Sequence, residues 1–133
     1  MREVFADTYY LLAMHSPADK AHERAVAATA ALAGPLVTTE WVLTEFADAL
    51  ADPRDRAGCI AFLEDLRREP GWEVVPAVHA IFEAGWGLYR SRRDKAWSLT
   101  DCISFAVMKE RGIKGALTGD HHFEQAGFKA LLK

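Results

Sequence analysis

Ser98-Leu99-Thr100-Asp101-Cys102-Ile103-Ser104-Phe105-Ala106-Val107-Met108 is the stretch on which the fold turns. It opens with a serine followed three residues later by an acid, the pattern of a capping box at a helix start. From there to Met108 the apolar residues leave almost no polar stripe, so the helix must be buried centrally. Gly112 ends it, and Ala116-Leu117-Thr118 follows as a short apolar strand.

Working outward, Val4-Phe5-Ala6, Leu36-Val37-Thr38 and Trp72-Glu73-Val74-Val75 read as further short strands, with Phe128-Lys129-Ala130-Leu131 at an edge. A helical turn is expected over Tyr9 to Ala13. Ser16-Pro17-Ala18-Asp19 combines a cap, a first-position proline and an acid, and predicts a helix running to Gly34-Pro35. Thr39 caps a helix that carries Trp41, Val42, Glu45, Phe46 and Ala49. Asp52-Pro53-Arg54-Asp55 opens another, with Ile60, Leu63 and Leu66 on one face, and Pro70-Gly71 breaks it. Val78, Ile81, Phe82, Gly85, Leu88 and Tyr89 form a stripe at helical period. Short buried strands alternating with helices imply a parallel sheet of four to five strands in a three-layer α/β/α sandwich. The 133 residues fit one domain, 1–133, with no repeat or linker.

Composition narrows the function. With 50% hydrophobic and 26% charged residues the chain is neither disordered nor fibrous. Sixteen basic against nineteen acidic residues, a net charge of −3, argue against gripping long duplex DNA by phosphate neutralisation. A nucleic-acid enzyme stays open, because local charge placement decides that. Two cysteines are too few for a disulfide framework. Met1 to Asp7 holds no leader-like apolar core and no apolar run is long enough to span a bilayer. The expectation is a cytoplasmic protein without a membrane.

Ligands of a parallel sheet bind beyond the carboxyl ends of its strands. Four acids can reach that edge: Asp7 after the first strand, Glu45 in the helix after the second, Asp101 at the start of the buried helix, and Asp120 after the Ala116 strand. Four anions in one pocket repel unless some are protonated or a hard cation joins them, and Mg²⁺ or Mn²⁺ takes such oxygens. Thr8, Thr100 and Thr118 neighbour these positions and can orient ligands or water. Each acid also has a structural explanation. Asp101 completes a capping box, Asp7 and Asp120 suit caps or turns, and Glu45 can sit on a solvated helix face.

The segments Val4-Phe5-Ala6-Asp7-Thr8, Asp19-Lys20-Ala21-His22-Glu23-Arg24-Ala25, Leu43-Thr44-Glu45-Phe46, Leu99 to Met108 and Ala116-Leu117-Thr118-Gly119-Asp120-His121-His122-Phe123, with Gln125-Ala126-Gly127-Phe128, resemble a PIN domain, most closely the VapC-type toxins. The resemblance covers essentially the whole chain, and Ser98 to Phe128 is its specific part. It implies strand order 3-2-1-4-5, with Asp7 and Asp120 on adjacent strands. It also implies a Mg²⁺- or Mn²⁺-dependent endoribonuclease acting through Asp7, Glu45, Asp101 and Asp120, an RNA substrate, a small antitoxin and a homodimer. The alternatives are a catalytically silent PIN-like binding module and a different metal-dependent phosphoesterase. Against a haloacid-dehalogenase-type phosphatase, position 9 is Tyr9 rather than a second acid; against a phospho-receiver, the Trp72 strand ends in Pro76.

Arg90, Arg92, Arg93 and Lys95 are the densest basic cluster, with Tyr89 and Trp97 alongside. They can meet RNA phosphates and offer an aromatic to a base, or simply form a solvated loop. His121-His122 is read as a poor metal pair, because neighbours in sequence seldom face one ligand. His122 is expected to support the acids locally. Cys102 is expected to act as a small buried hydrophobe.

Overall fold

The computed structural model describes residues 2–133. Five strands form one sheet: β1 (Val4–Ala6), β2 (Leu36–Thr39), β3 (Trp72–Val75), β4 (Gly115–Leu117) and β5 (Lys129–Ala130). Every pairing is parallel, in the order β3-β2-β1-β4-β5. The chain steps outward from β1 through β2 to β3, then returns to β4 on the other side of β1. Strand order therefore reverses between β1 and β4, where Phe5 pairs with Ala116 and Ala6 with Leu117. The helices flanking the sheet are α1 (Thr8–His15), α2 (His22–Ala31), α3 (Glu40–Ala49), α4 (Pro53–Arg68), α5 (His79–Ser91), α6 (Leu99–Arg111) and α7 (His121–Gln125).

Local signals account for most boundaries. Thr39 caps α3 by accepting from the Val42 N–H, and Asp52 caps α4 through the Arg54 N–H. Ser98 and Asp101 close both halves of the capping box on α6. Gly112 ends that helix at φ 68°, the left-handed region where a Cβ is costly. The core runs between the sheet and its helices through Phe5, Leu11, Val37, Phe46, Met108, Leu117 and Phe123, all fully buried. As its composition foreshadowed, α6 is sunk centrally, with Cys102 to Phe105, Val107 and Met108 buried.

Some expectations are corrected. Ser16 does not start a helix, because α1 extends to His15 and the Ser16 N–H closes it on the Leu12 carbonyl. Asp19 instead accepts from the Ala21 N–H in a turn, and α2 begins at His22 and stops at Ala31. On α4 the covered face is set by Cys59 and Leu66, while Ile60 is 50% exposed. Strand β4 ends one residue before Thr118, and α7 was not anticipated because five residues are too short for a periodic stripe.

The approach of α5 to α6 depends on Gly85. A Cβ there would fall 2.3 Å from Ile103 Cγ1 and 2.8 Å from its Cα, whereas one on Gly87, on the same helix, would meet nothing within 4 Å. Gly85→Ala should therefore destabilise the protein by about 1–3 kcal/mol through overpacking. Gly87→Ala should stabilise it by up to about 1 kcal/mol through helix propensity. Chemical denaturation of the two variants beside the wild type checks both signs.

Candidate active site

Asp7 leaves β1 at the edge where strand order reverses and occupies the N-cap position of α1. Its side chain makes no cap hydrogen bond. Instead the Thr118 hydroxyl, at the end of β4, donates to Asp7 Oδ2 at 2.8 Å. Thr118 Oγ1 also accepts from the Asp120 N–H at 3.0 Å, so one buried hydroxyl ties the two acid-bearing segments together. From the next position along, the Thr8 hydroxyl donates to the Glu45 carboxylate on α3. Asp120 caps α7 through the His122 N–H at 2.9 Å, which fulfils its local role. Asp101 accepts from the Ser98 N–H at 3.2 Å, and its Oδ2 lies 3.4 Å from His122 Nδ1. That same ring nitrogen is 3.3 Å from Asp120 Oδ1. Thr100, half-buried in the first turn of α6, bonds none of these acids among the described residues.

Burial is the main electrostatic fact of the site. Asp7 is 6% exposed, and desolvation drives its carboxyl up to about 7. The Thr118 hydroxyl opposes that rise, while the charges of Asp101 and Glu45 add to it. Asp101 is raised as well, first by burial and further by Asp120, with the Ser98 N–H and His122 working against the shift. Asp7 and Asp101 are thus each raised in part by neighbouring carboxylates. The Cys102 thiol, buried beside Asp101, is pushed up to about 11 and is inert as a nucleophile at neutral pH.

The basic loop divides into two parts. Arg92 is tied to Asp94 at 2.9 Å and covers the Trp97 ring at 5.2 Å from its centroid. Trp97 itself is buried and donates its indole N–H to Gln125, so it offers no face to a base. Arg93 and Lys95 have no ion pair among the described residues. With Tyr89 they line a cleft of about 400 Å³ whose wall includes Cys102, the residue after Asp101. Arg90 is exposed on the last turn of α5. The sequence reading missed Trp86, which stacks on Tyr89 at 5.6 Å with both rings partly exposed. Its spacing of three residues on one helix was the available signal. A cavity of about 660 Å³, lined by Arg2, Glu3, Ile113 and Lys114 among others, sits where β1 and β4 begin and holds none of the four acids.

Because the folded state raises Asp7 above its ordinary value of 3.8, the folded protein binds the extra proton between about pH 4 and 7. The stability this contributes is present below that window and is lost as pH rises through it. In chelator, Asp7→Asn should raise the melting temperature at pH 8 by several degrees and leave the value near pH 4 almost unchanged. Thermal melts of both proteins across that range check the slope.

The family model of the PIN domain matches residues 4–129. The structure superposes on the Mycobacterium tuberculosis VapC20 toxin, described as cleaving the sarcin-ricin loop, with a TM-score of 0.86 and 26% identity over 94% of this chain and 95% of that one. Neisseria gonorrhoeae FitAcB shares the fold at a TM-score of 0.68 and 18% identity, covering 96% of this chain and 95% of that one. Rickettsia felis VapBC2, bound to a DNA fragment from its promoter, shares it at 0.67 and 10%, covering 96% of both chains. No curated protein sequence matches the chain. A five-stranded parallel sheet in the order 3-2-1-4-5 and a family match across 4–129 place the chain in the PIN-domain family, and it belongs there.

Proposed function

We propose that this protein is a divalent-metal-dependent endoribonuclease of the VapC type, the toxin of a toxin–antitoxin pair, in which Asp7, Glu45, Asp101 and Asp120 hold Mg²⁺ or Mn²⁺. The observation that carries this reading is Asp7, a buried carboxylate raised by its own desolvation and by two neighbouring acids, with no cation beside it among the described residues. A donor set made only of carboxylates suits a hard cation. When bound, such an ion lowers the pKa of a coordinated water and neutralises charge on a phosphodiester. The chain supplies the rest. Thr118 fixes Asp7 Oδ2, Thr8 fixes Glu45, and the capping box holds Asp101 at the head of a buried helix. RNA as substrate is supported by the likeness to VapC20, itself a toxin that cleaves the sarcin-ricin loop. A small antitoxin and a homodimer follow from the VapC resemblance, as does a cytoplasmic setting; no described helix is long and apolar enough to cross a membrane.

Asp101→Asn should abolish Mn²⁺-supported cleavage of a mixed RNA pool, a loss of at least about 100-fold, while the fold persists because the asparagine side-chain oxygen can still accept from the Ser98 N–H in the capping box. Wild-type cleavage by that variant would overturn the assignment. In the wild type, Mn²⁺ at about 100 times its dissociation constant should contribute roughly 2.7 kcal/mol, and matched NaCl far less. A flat melting temperature across the Mn²⁺ titration would remove the shared pocket.

The free cations Arg93 and Lys95 carry the incoming strand in this reading, with Tyr89 offering its ring and Arg90 a more distant charge. Arg93→Ala combined with Lys95→Ala should raise KM roughly tenfold, leave kcat nearly unchanged and flatten the salt dependence of binding. Steady-state kinetics at two salt concentrations measure all three.

A further inference from the structure

Asp120, His121 and His122 place one ligand atom each within 4.8 Å of the others. His121 Nδ1 stands 3.6 Å, and His122 Nδ1 3.3 Å, from the same oxygen, Asp120 Oδ1. Consecutive residues of a helix normally point about 100° apart. Here both lie in the first turn of a five-residue helix, and their rings approach to 4.4 Å between centroids. Sequence neighbours seldom face one ligand, and this position is an exception in geometry. An ion with bonds of about 2.1 Å in tetrahedral arrangement separates its ligand atoms by roughly 3.4 Å. The two separations from Asp120 Oδ1 match that edge, and the third lies within 4.8 Å.

A second observation points the same way. His122 Nδ1 is buried and has no hydrogen-bond partner, although two carboxylates stand within 3.4 Å of it. Leaving a buried ring nitrogen unpaired is costly, and a bound cation would satisfy it. The His121 side chain is 64% exposed, so the trio opens to solvent. Two imidazoles and one carboxylate favour Zn²⁺ over Mg²⁺, with a water free to fill the fourth position.

We propose that Asp120, His121 and His122 form a separate Zn²⁺-class site, which shares Asp120 with the acid cluster and withdraws it from that cluster when occupied. The withdrawal rests on the function proposed above; the site itself does not. Calorimetry with Zn²⁺ alone on chelator-stripped protein should show one equivalent bound, and His121→Ala should weaken it at least about tenfold. Co²⁺ in place of Zn²⁺ should give a tetrahedral visible spectrum in the wild type and lose it in His121→Ala. Asp7→Asn should leave Zn²⁺ affinity within about twofold. Equal affinity in wild type and His121→Ala would overturn the site, and so would a loss in Asp7→Asn as large as that in His121→Ala, because the ion would then sit among the acids. One equivalent of Zn²⁺ should weaken subsequent Mn²⁺ binding in the wild type but not in His121→Ala; the same Mn²⁺ affinity with and without Zn²⁺ would overturn the shared use of Asp120. These readouts stand apart from RNA cleavage, whose absence would count against the nuclease reading alone.

Discussion

The hydrogen bond from the Thr118 hydroxyl to Asp7 ties together the chain just beyond the two paired strands at which the sheet reverses its order. It joins residues 111 apart in sequence, across the β1–β4 pairing, and both partners are buried. Without Thr118 the Asp7 carboxylate would lose the hydrogen bond that most offsets its desolvation. The same hydroxyl accepts from the Asp120 backbone and so sets where the chain turns into α7. One small polar side chain thus orients two acids and the start of a helix.

The acid cluster costs stability, and the fold spends well-packed structure to hold it. Asp101 sits at the head of α6, whose buried length fixes its position as firmly as any in the molecule. Gly85 lets α5 press onto that helix at Ile103, and Trp97, roofed by Arg92, packs edge-on against Phe105 on its other flank. Functional groups held on rigid elements keep their geometry when their mutual repulsion favours spreading apart. At Asp101 the structural role leaves room for the one proposed above. Its carboxylate completes the capping box and still faces His122 and feels Asp120. The capping explanation is realised, and the same geometry leaves Asp101 Oδ2 turned toward His122.

The basic loop teaches a different lesson. Four cations close in sequence look interchangeable, yet Arg92 is consumed by Asp94 and by the Trp97 ring, while Arg93 and Lys95 are left to the cleft beside Cys102. The exposed aromatic face comes from Trp86 and Tyr89, not from Trp97. Charge counts along a chain do not report which charges are already paired.

What the sequence determined by itself was whatever depends on neighbours along the chain. The apolar run of α6, the caps at Thr39, Asp52 and Ser98, and the stop at Gly112 were all legible, since each rests on contacts within about four residues. Competing local signals were not resolved: Ser16 could start a helix or end one, and only the length of α1 decided it. The candidate site was legible as acids after β1 and β4, at the head of α6 and within α3, but nothing local says that Thr118 binds Asp7 or that Thr8 reaches Glu45. Those contacts span 111 and 37 residues. The convergence of His121 and His122 ran against the helical rule and depended on a one-turn helix anchored by Asp120. Tertiary structure decided these matters because burial, and with it the raised carboxyl of Asp7, belongs to the packed sheet edge and to no single segment of the chain.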